Sequence, residues 1–105
     1  MARFLLTAPG PRPPCFKVAE HLWGANCDFD SDGDSETPEA TDWTELTVSL
    51  RTPQWQQDNV EQRVDVDPLN EGNPLILAIV SEDDDLARKA AAFLHREAGG
   101  ELTAG

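Results

Sequence analysis

Positive charge is what this chain has least of. Lys and Arg number 8 against 20 Asp and Glu, a formal net charge of −12. Such a surface repels phosphate, which argues against direct contact with DNA or RNA through the nucleic-acid backbone. Cysteine is scarce too. Cys15 and Cys27 are the full complement, far fewer than a small secreted disulfide scaffold carries. They read as free thiols, with a single bridge as the alternative if the chain is exported. Long apolar runs are missing as well. Phe4 to Leu6 is too short for the apolar region of a signal peptide. LILAIV at 75–80 falls well short of the roughly 20 apolar residues that span a membrane. The expectation is a soluble, cytoplasmic chain with no membrane partner.

Catalytic signatures are also lacking. There is no GxSxG elbow, no P-loop and no GxGxxG phosphate cradle. Cys15, His21 and Cys27 are evenly spaced, but not as the CxxC or HxxxH pairs of a zinc site. Cys15 or Cys27 with His21 has no third group to orient it as a nucleophile and base. Asp65 and Asp67 fall two apart on one strand face, as the outward residues of a strand do. The reading is a chain that is not an enzyme and has no cofactor, Ca²⁺ aside.

What is present is enough for a core. The 105 residues are 39% hydrophobic, with three Trp and four Phe. A single domain, residues 1–105, suits that length. Arg3 to Ala8 reads as a first strand, and the Pro-rich PGPRPP that follows cannot be helix interior. Pro14 then opens a helix over Cys15 to Trp23, with Phe16, Ala19 and Trp23 on one face, Val18 and Leu22 flanking it, and Gly24 as the stop. In WTELTVSLR, Leu46, Val48 and Leu50 alternate with polar residues, the pattern of a half-buried strand. VEQRVDVDP repeats it with Val60, Val64 and Val66, broken once by Gln62. The segment between them carries Trp55 at the tip of a long hairpin. NEGNP is a turn, and Leu75 to Val80 is a strand buried on both faces. Ser81 reads as a helix N-cap, with Leu86, Ala90, Phe93 and Leu94 as the buried stripe. His95 and Arg96 fall in the last turn, and Gly99-Gly100 end the helix. Glu101 to Thr103 closes as a short edge strand.

The order is β-α-β-β-β-α-β. It predicts an α+β fold: one mostly antiparallel sheet of four to five strands with two helices on one face, a ferredoxin-like variant. Trp23 and Trp43 are expected in the core. An acidic, flexible loop is expected at about 25–42.

That loop is the most distinctive stretch. Asp28, Asp30, Asp32, Asp34, Glu36, Glu39, Asp42 and Glu45 fall in it without one Lys or Arg. DFDSDGDSETPE, residues 28–39, matches D-x-[DN]-x-[DN]-G-x₅-E and resembles an EF-hand calcium loop over 12 of the 105 residues. The resemblance implies Ca²⁺ held by Asp28, Asp30, Asp32, Asp34, Glu36 and Glu39, with Gly33 at the turn. The surroundings depart from the pattern. Ser35 stands where the paired apolar residue belongs, Pro38 where the outgoing helix should run, and a strand-like segment follows.

Charge and size together favour a binding module. Acidic surfaces steer basic partners toward them. The expected partner is a basic, nucleic-acid-acting protein, neutralised in the manner of an immunity protein or other inhibitor. Expected contacts are Asp42, Glu45 and the acidic run, Trp55 as an aromatic anchor, and the cluster Glu82, Asp83, Asp84 and Asp85. Two alternatives stand beside it: a calcium-binding module, and an accessory domain of a larger assembly with no activity of its own. Open strand edges allow a monomer or a homodimer.

Overall fold

The computed structural model describes residues 2–25, 27–34, 37, 39–51 and 58–105, with the backbone alone at 51 and 58–61. The chain runs β1 (Ala2–Thr7), α1 (Cys15–Trp23), β2 (Phe29–Gly33), β3 (Leu46–Arg51), β4 (Asp58–Asn70), β5 (Ile76–Ser81), α2 (Asp84–Ala98) and β6 (Glu101–Ala104). The fold is α+β, with one antiparallel sheet of six strands in the order β2-β3-β4-β5-β1-β6. The sequence reading expected four to five strands. The added one is β2, and it lies inside the stretch read as a flexible acidic loop. Its backbone pairs with β3 from Phe29↔Leu50 to Gly33↔Leu46. An alternation of Asp with Phe, Ser and Gly shows no apolar face, so periodicity gives no strand signal there. Pairing with β3 supplies what the pattern lacks.

Period-two alternation sorts the rest of the sheet into two faces. Leu46, Val48, Val64, Val66, Leu77, Ile79 and Leu6 point to one side and are fully buried. Both helices cover that side and touch one another. Their contribution is Val18 and Leu22 from α1 and Leu86, Ala90, Ala91, Phe93 and Leu94 from α2. The buried stripe of α1 is Cys15, Val18, Ala19 and Leu22. That turns the helix away from the expected Phe16 side, because the i, i+3, i+4, i+7 row is the one facing the sheet. Trp43 is 1% exposed, while Trp23 is partly buried against the core.

The two helices start and stop by different devices. Pro14 precedes α1, where its missing N–H costs nothing. The Gly24 amide donates to the Glu20 carbonyl at the other end, and Lys89 Nζ donates to the Leu22 carbonyl at 3.3 Å. A cation from α2 thus meets the negative end of α1. Asp83, not Ser81, caps α2: its Oδ1 accepts from the Asp85 amide at 2.9 Å and the Leu86 amide at 3.2 Å. Ser81 is the last residue of β5. Its hydroxyl donates to the Arg63 carbonyl and accepts from the Asp83 amide.

Candidate functional site

The acidic run folds into three pieces with different work. Asp30 and Asp32 lie opposite Ser49 and Thr47 on β3. They therefore project from the open face of the sheet, away from the helices. On that face a groove of about 350 Å³ is lined by Asp30, Ser31, Asp32, Thr47, Ser49 and Arg63. Asp65 stands beside it on β4, accepting from Thr47 Oγ1 at 2.7 Å and from Arg63 Nε and Nη2 at 3.2 and 3.1 Å. Asp65 is thus tied within the sheet face, while Asp67 on the same face is exposed.

Asp34 does something else. Its Oδ2 accepts from Thr44 Oγ1 at 2.6 Å, and its Oδ1 accepts from the amides of Thr44 at 2.9 Å and Glu45 at 3.1 Å. The Asp34 amide donates back to the Glu45 carbonyl. One carboxylate therefore pins the two ends of the 34–45 connection together. Partial burial pushes this carboxyl upward. The hydrogen bonds from the Thr44 hydroxyl and the two amides outweigh that and hold it below the usual aspartate value. Gly33 makes the turn feasible. Its φ is +149°, and a Cβ there would stand 2.1 Å from the Glu45 carbonyl oxygen.

The third piece is a clasp between the Pro-rich segment and residues 41–43. The Arg12 amide donates to the Thr41 carbonyl at 2.8 Å. Arg12 Nε donates to the Trp43 carbonyl at 2.8 Å, and Trp43 Nε1 donates to the Pro13 carbonyl at 2.9 Å. The guanidinium also lies 6.0 Å from the Trp43 ring centroid. Among the described residues, Arg12 is the one charged side chain that is buried. Burial lowers its pKa, and Asp42 and Asp34 oppose that by favouring the cation. Sequence reading missed this residue; an Arg set between prolines beside an arginine-free acidic run was the signal.

The described residues of 28–39 do not follow an EF-hand course. A calcium loop wraps so that its oxygens converge on one point. Here Phe29–Gly33 is an extended, paired strand, and alternate carboxylates along it stand roughly 6–7 Å apart. Asp34 is turned to Thr44 and Glu45 instead of toward a shared centre. Asp28 and Glu39 are exposed, and Glu36 lies outside the described residues. Among the described residues no group of three or more His, Cys, Asp or Glu is placed to hold a metal ion. The spaced Cys and His side chains also diverge. Cys15 is buried, and Cys27 Sγ donates to the Ala19 carbonyl. His21 stacks on Phe93, with ring centroids 4.3 Å apart. Burial, helped by Lys89 and Arg96, lowers the His21 pKa.

The expected partner contacts do not form one patch. Asp34, Asp42 and Glu45 gather where β3 begins, near Glu71, whose Oε1 is 3.3 Å from Thr44 Oγ1. Glu82 to Asp85 follow β5, where the continued register sets Glu82 beside Arg63 in the middle of β4. Along β4 the clusters are set apart by the stretch from Asp67, beside Glu45, to Arg63, beside Glu82, roughly 13 Å of strand, and they lie on opposite sides of that strand. Within the second cluster Asp83 is committed to the α2 cap, and it also accepts from Gln62 Nε2 at 3.1 Å. Asp85 lies 3.4 Å from Arg88. Trp55 lies outside the described residues. The contiguous feature is the β2 flank, with Asp28, Asp30 and Asp32 in a row and Asp34, Asp42 and Glu45 beyond them.

No protein-family model matches the chain, and neither the curated proteins nor the solved structures contain a match to it.

Proposed function

We propose that this chain is a small acidic protein-binding module that engages a basic, nucleic-acid-acting protein and blocks its cleft, as an immunity-type inhibitor does. The observation that carries the reading is the separation of charge in the fold. In the helix layer acids stand beside cations: Asp85 with Arg88, Glu97 with Arg96. Along β2 and the 34–45 connection the acids outnumber the cations near them, of which Arg12 is buried and Arg63 is held by Asp65. A field of one sign on one flank speeds encounter with an oppositely charged surface and rejects like-charged ones. The same field disfavours the phosphate backbone, so a nucleic-acid-acting partner fits better than nucleic acid itself.

The frame supports a rigid presenter. Without β2 and β3, the remaining β-α-β-β-α-β connectivity in the sheet order β4-β5-β1-β6 is ferredoxin-like. On this reading the β2–β3 hairpin is an addition that carries the acidic flank. Among the described residues no helix is long and apolar enough to cross a membrane, and the proposed setting is the cytoplasm.

The test is capture from host lysate with the wild-type chain and with a chain reversed at Asp28, Asp32, Asp42 and Glu45. The expected result is a basic protein held by the wild type at low salt and lost from the reversed chain. Its action on nucleic acid should fall in proportion to the wild-type chain added. Equal capture by both chains, or no inhibition of the captured protein, overturns the reading and favours an accessory domain.

A further inference from the structure

We infer that the outer edge of β2 is a docking edge for an extended, lysine- or arginine-bearing segment of the partner, added to the sheet as a further antiparallel or parallel strand. The inference rests on the reading above and specifies its contact. It starts from the backbone. Among the described residues β2 is the terminal strand of the sheet, with no neighbour on its outer side. In an antiparallel ladder, alternate residues turn their N–H and C=O toward the partner strand and the others turn them away. The Asp34 amide donates to the Glu45 carbonyl, and Glu45 is the residue opposite it when the register is continued. By parity Asp32 and Asp30 face β3 with their backbone groups. Phe29, Ser31 and Gly33 then face outward. A second observation agrees: the Gly33 amide is taken by its neighbour's side chain, Asp32 Oδ1, at 2.9 Å. That leaves the backbone groups of Ser31 and Phe29 at the open edge.

Side chains then select the occupant. Asp30 and Asp32 alternate along this strand, Asp28 comes just before it, and all three are exposed. An added strand sets its own alternate side chains directly across from them. Cross-strand pairs of opposite charge stabilise a sheet and like charges oppose it. A second copy of this chain would bring aspartate against aspartate, so the edge rejects self-pairing. A segment with Lys or Arg at every second position matches the row of aspartates; the groove beyond them already holds a cation, Arg63, which is tied to Asp65. Main-chain bonds supply affinity and alternate side chains supply specificity, as in other strand additions. Exposed edges commonly carry charge to stay unpaired; here the charge is of one sign, so it excludes one class of strand and admits the other.

The probe is a synthetic peptide of about eight residues alternating Lys and Val, a typical strand length. Binding is read by calorimetry at low salt, and amide hydrogen exchange is read along β2. The expected result is binding with the Ser31 amide protected by about ten-fold or more, equivalent to about 1.4 kcal/mol. Ser31→Pro removes the outward N–H at a position where an edge strand tolerates proline. It should weaken binding by about ten-fold or more at unchanged net charge. The paired reversal Asp28→Lys with Asp32→Lys should abolish binding. Circular dichroism establishes that each variant is folded, and protection of the wild-type Ser31 amide decides the matter if Ser31→Pro is not. No peptide binding, or binding that leaves Ser31 unprotected, overturns the edge. If the peptide fails while the lysate partner is still captured and inhibited, the edge falls and the acidic-module reading stands. If the reversed chain captures that partner equally, the module reading falls by itself.

Discussion

The two flanks of this sheet are held by opposite means. Where α2 lies over β1 and β5, order comes from apolar burial: Leu6, Leu77, Ile79 and Leu94 are all fully buried. At the β2 flank the outer strand buries little. Its shape comes from a glycine, one aspartate bridging two amides and a hydroxyl, and the Arg12–Trp43 clasp. The difference shows how one small domain tolerates so many carboxylates. They accumulate where hydrogen bonds and backbone pairing maintain the fold, and they are absent from the surface that must be dry. A charge run placed on the β5 side would have cost the core; on β2 it leaves the core untouched.

Trp43 is buried in the core and also centres the Arg12 clasp, joining these regimes, so Trp43→Ala is the strongest way to break the contrast. It empties a buried site and strips the clasp of its centre. The expected loss is about 3–5 kcal/mol in urea unfolding. A loss near zero would mean that the acidic flank holds its shape without an apolar anchor.

Gly33→Ala attacks the same flank through the backbone alone. The added Cβ meets the Glu45 carbonyl oxygen in a left-handed conformation. Strain of about 1–3 kcal/mol is expected, read as a lower Tm with the far-UV spectrum of α2 retained. If Tm is unchanged, the β2–β3 junction is looser than its geometry implies.

Gln62 tests the boundary between the flanks from inside. Trp23 Nε1 donates to its Oε1 at 3.1 Å, and its Nε2 donates to Asp83. The residue that interrupts the apolar row of β4 therefore connects α1 to the cap of α2. Gln62→Leu leaves a part-buried indole N–H and a carboxylate oxygen short of a partner. The expected destabilisation is about 1–3 kcal/mol despite the apolar gain. A stabilised Leu variant would show that packing, not this bridge, sets the helix pair.

The smallest expected effect is in acid. The folded Asp34 carboxyl lies below its ordinary value. Above the unfolded value both states are ionised and the contribution is complete; it is lost as pH falls through the folded value. Thermal midpoints of wild type and Asp34→Asn should therefore differ at neutral pH and converge in strong acid. His21 adds a loss in the same direction at higher pH, because burial lowers its pKa and the unfolded chain takes up the proton first. Curves that remain parallel across the whole range would remove Asp34 as the closure of the 34–45 connection.

Much of the frame is legible in the sequence alone. The alternation of Leu46 and Val48, and of Val64 and Val66, marks two strands because a half-buried sheet demands period two. LILAIV marks the central strand β5, and the stripe from Leu86 to Leu94 marks α2. Acid excess, the two thiols and the missing catalytic motifs were equally plain. Tertiary structure decided the rest. DFDSDG carries no apolar period, so only the edge offered by β3 makes it a strand rather than a calcium-type loop. Arg12 and Trp43 are 31 residues apart, and no local rule joins them; the buried carbonyls and the indole N–H do. Ser81 and Asp83 are both good caps by composition, and the β5 ladder, by claiming Ser81, leaves the cap to Asp83. Local pattern fixes which segments are strand or helix when burial repeats along the chain. Where burial is slight, the neighbour across the sheet decides.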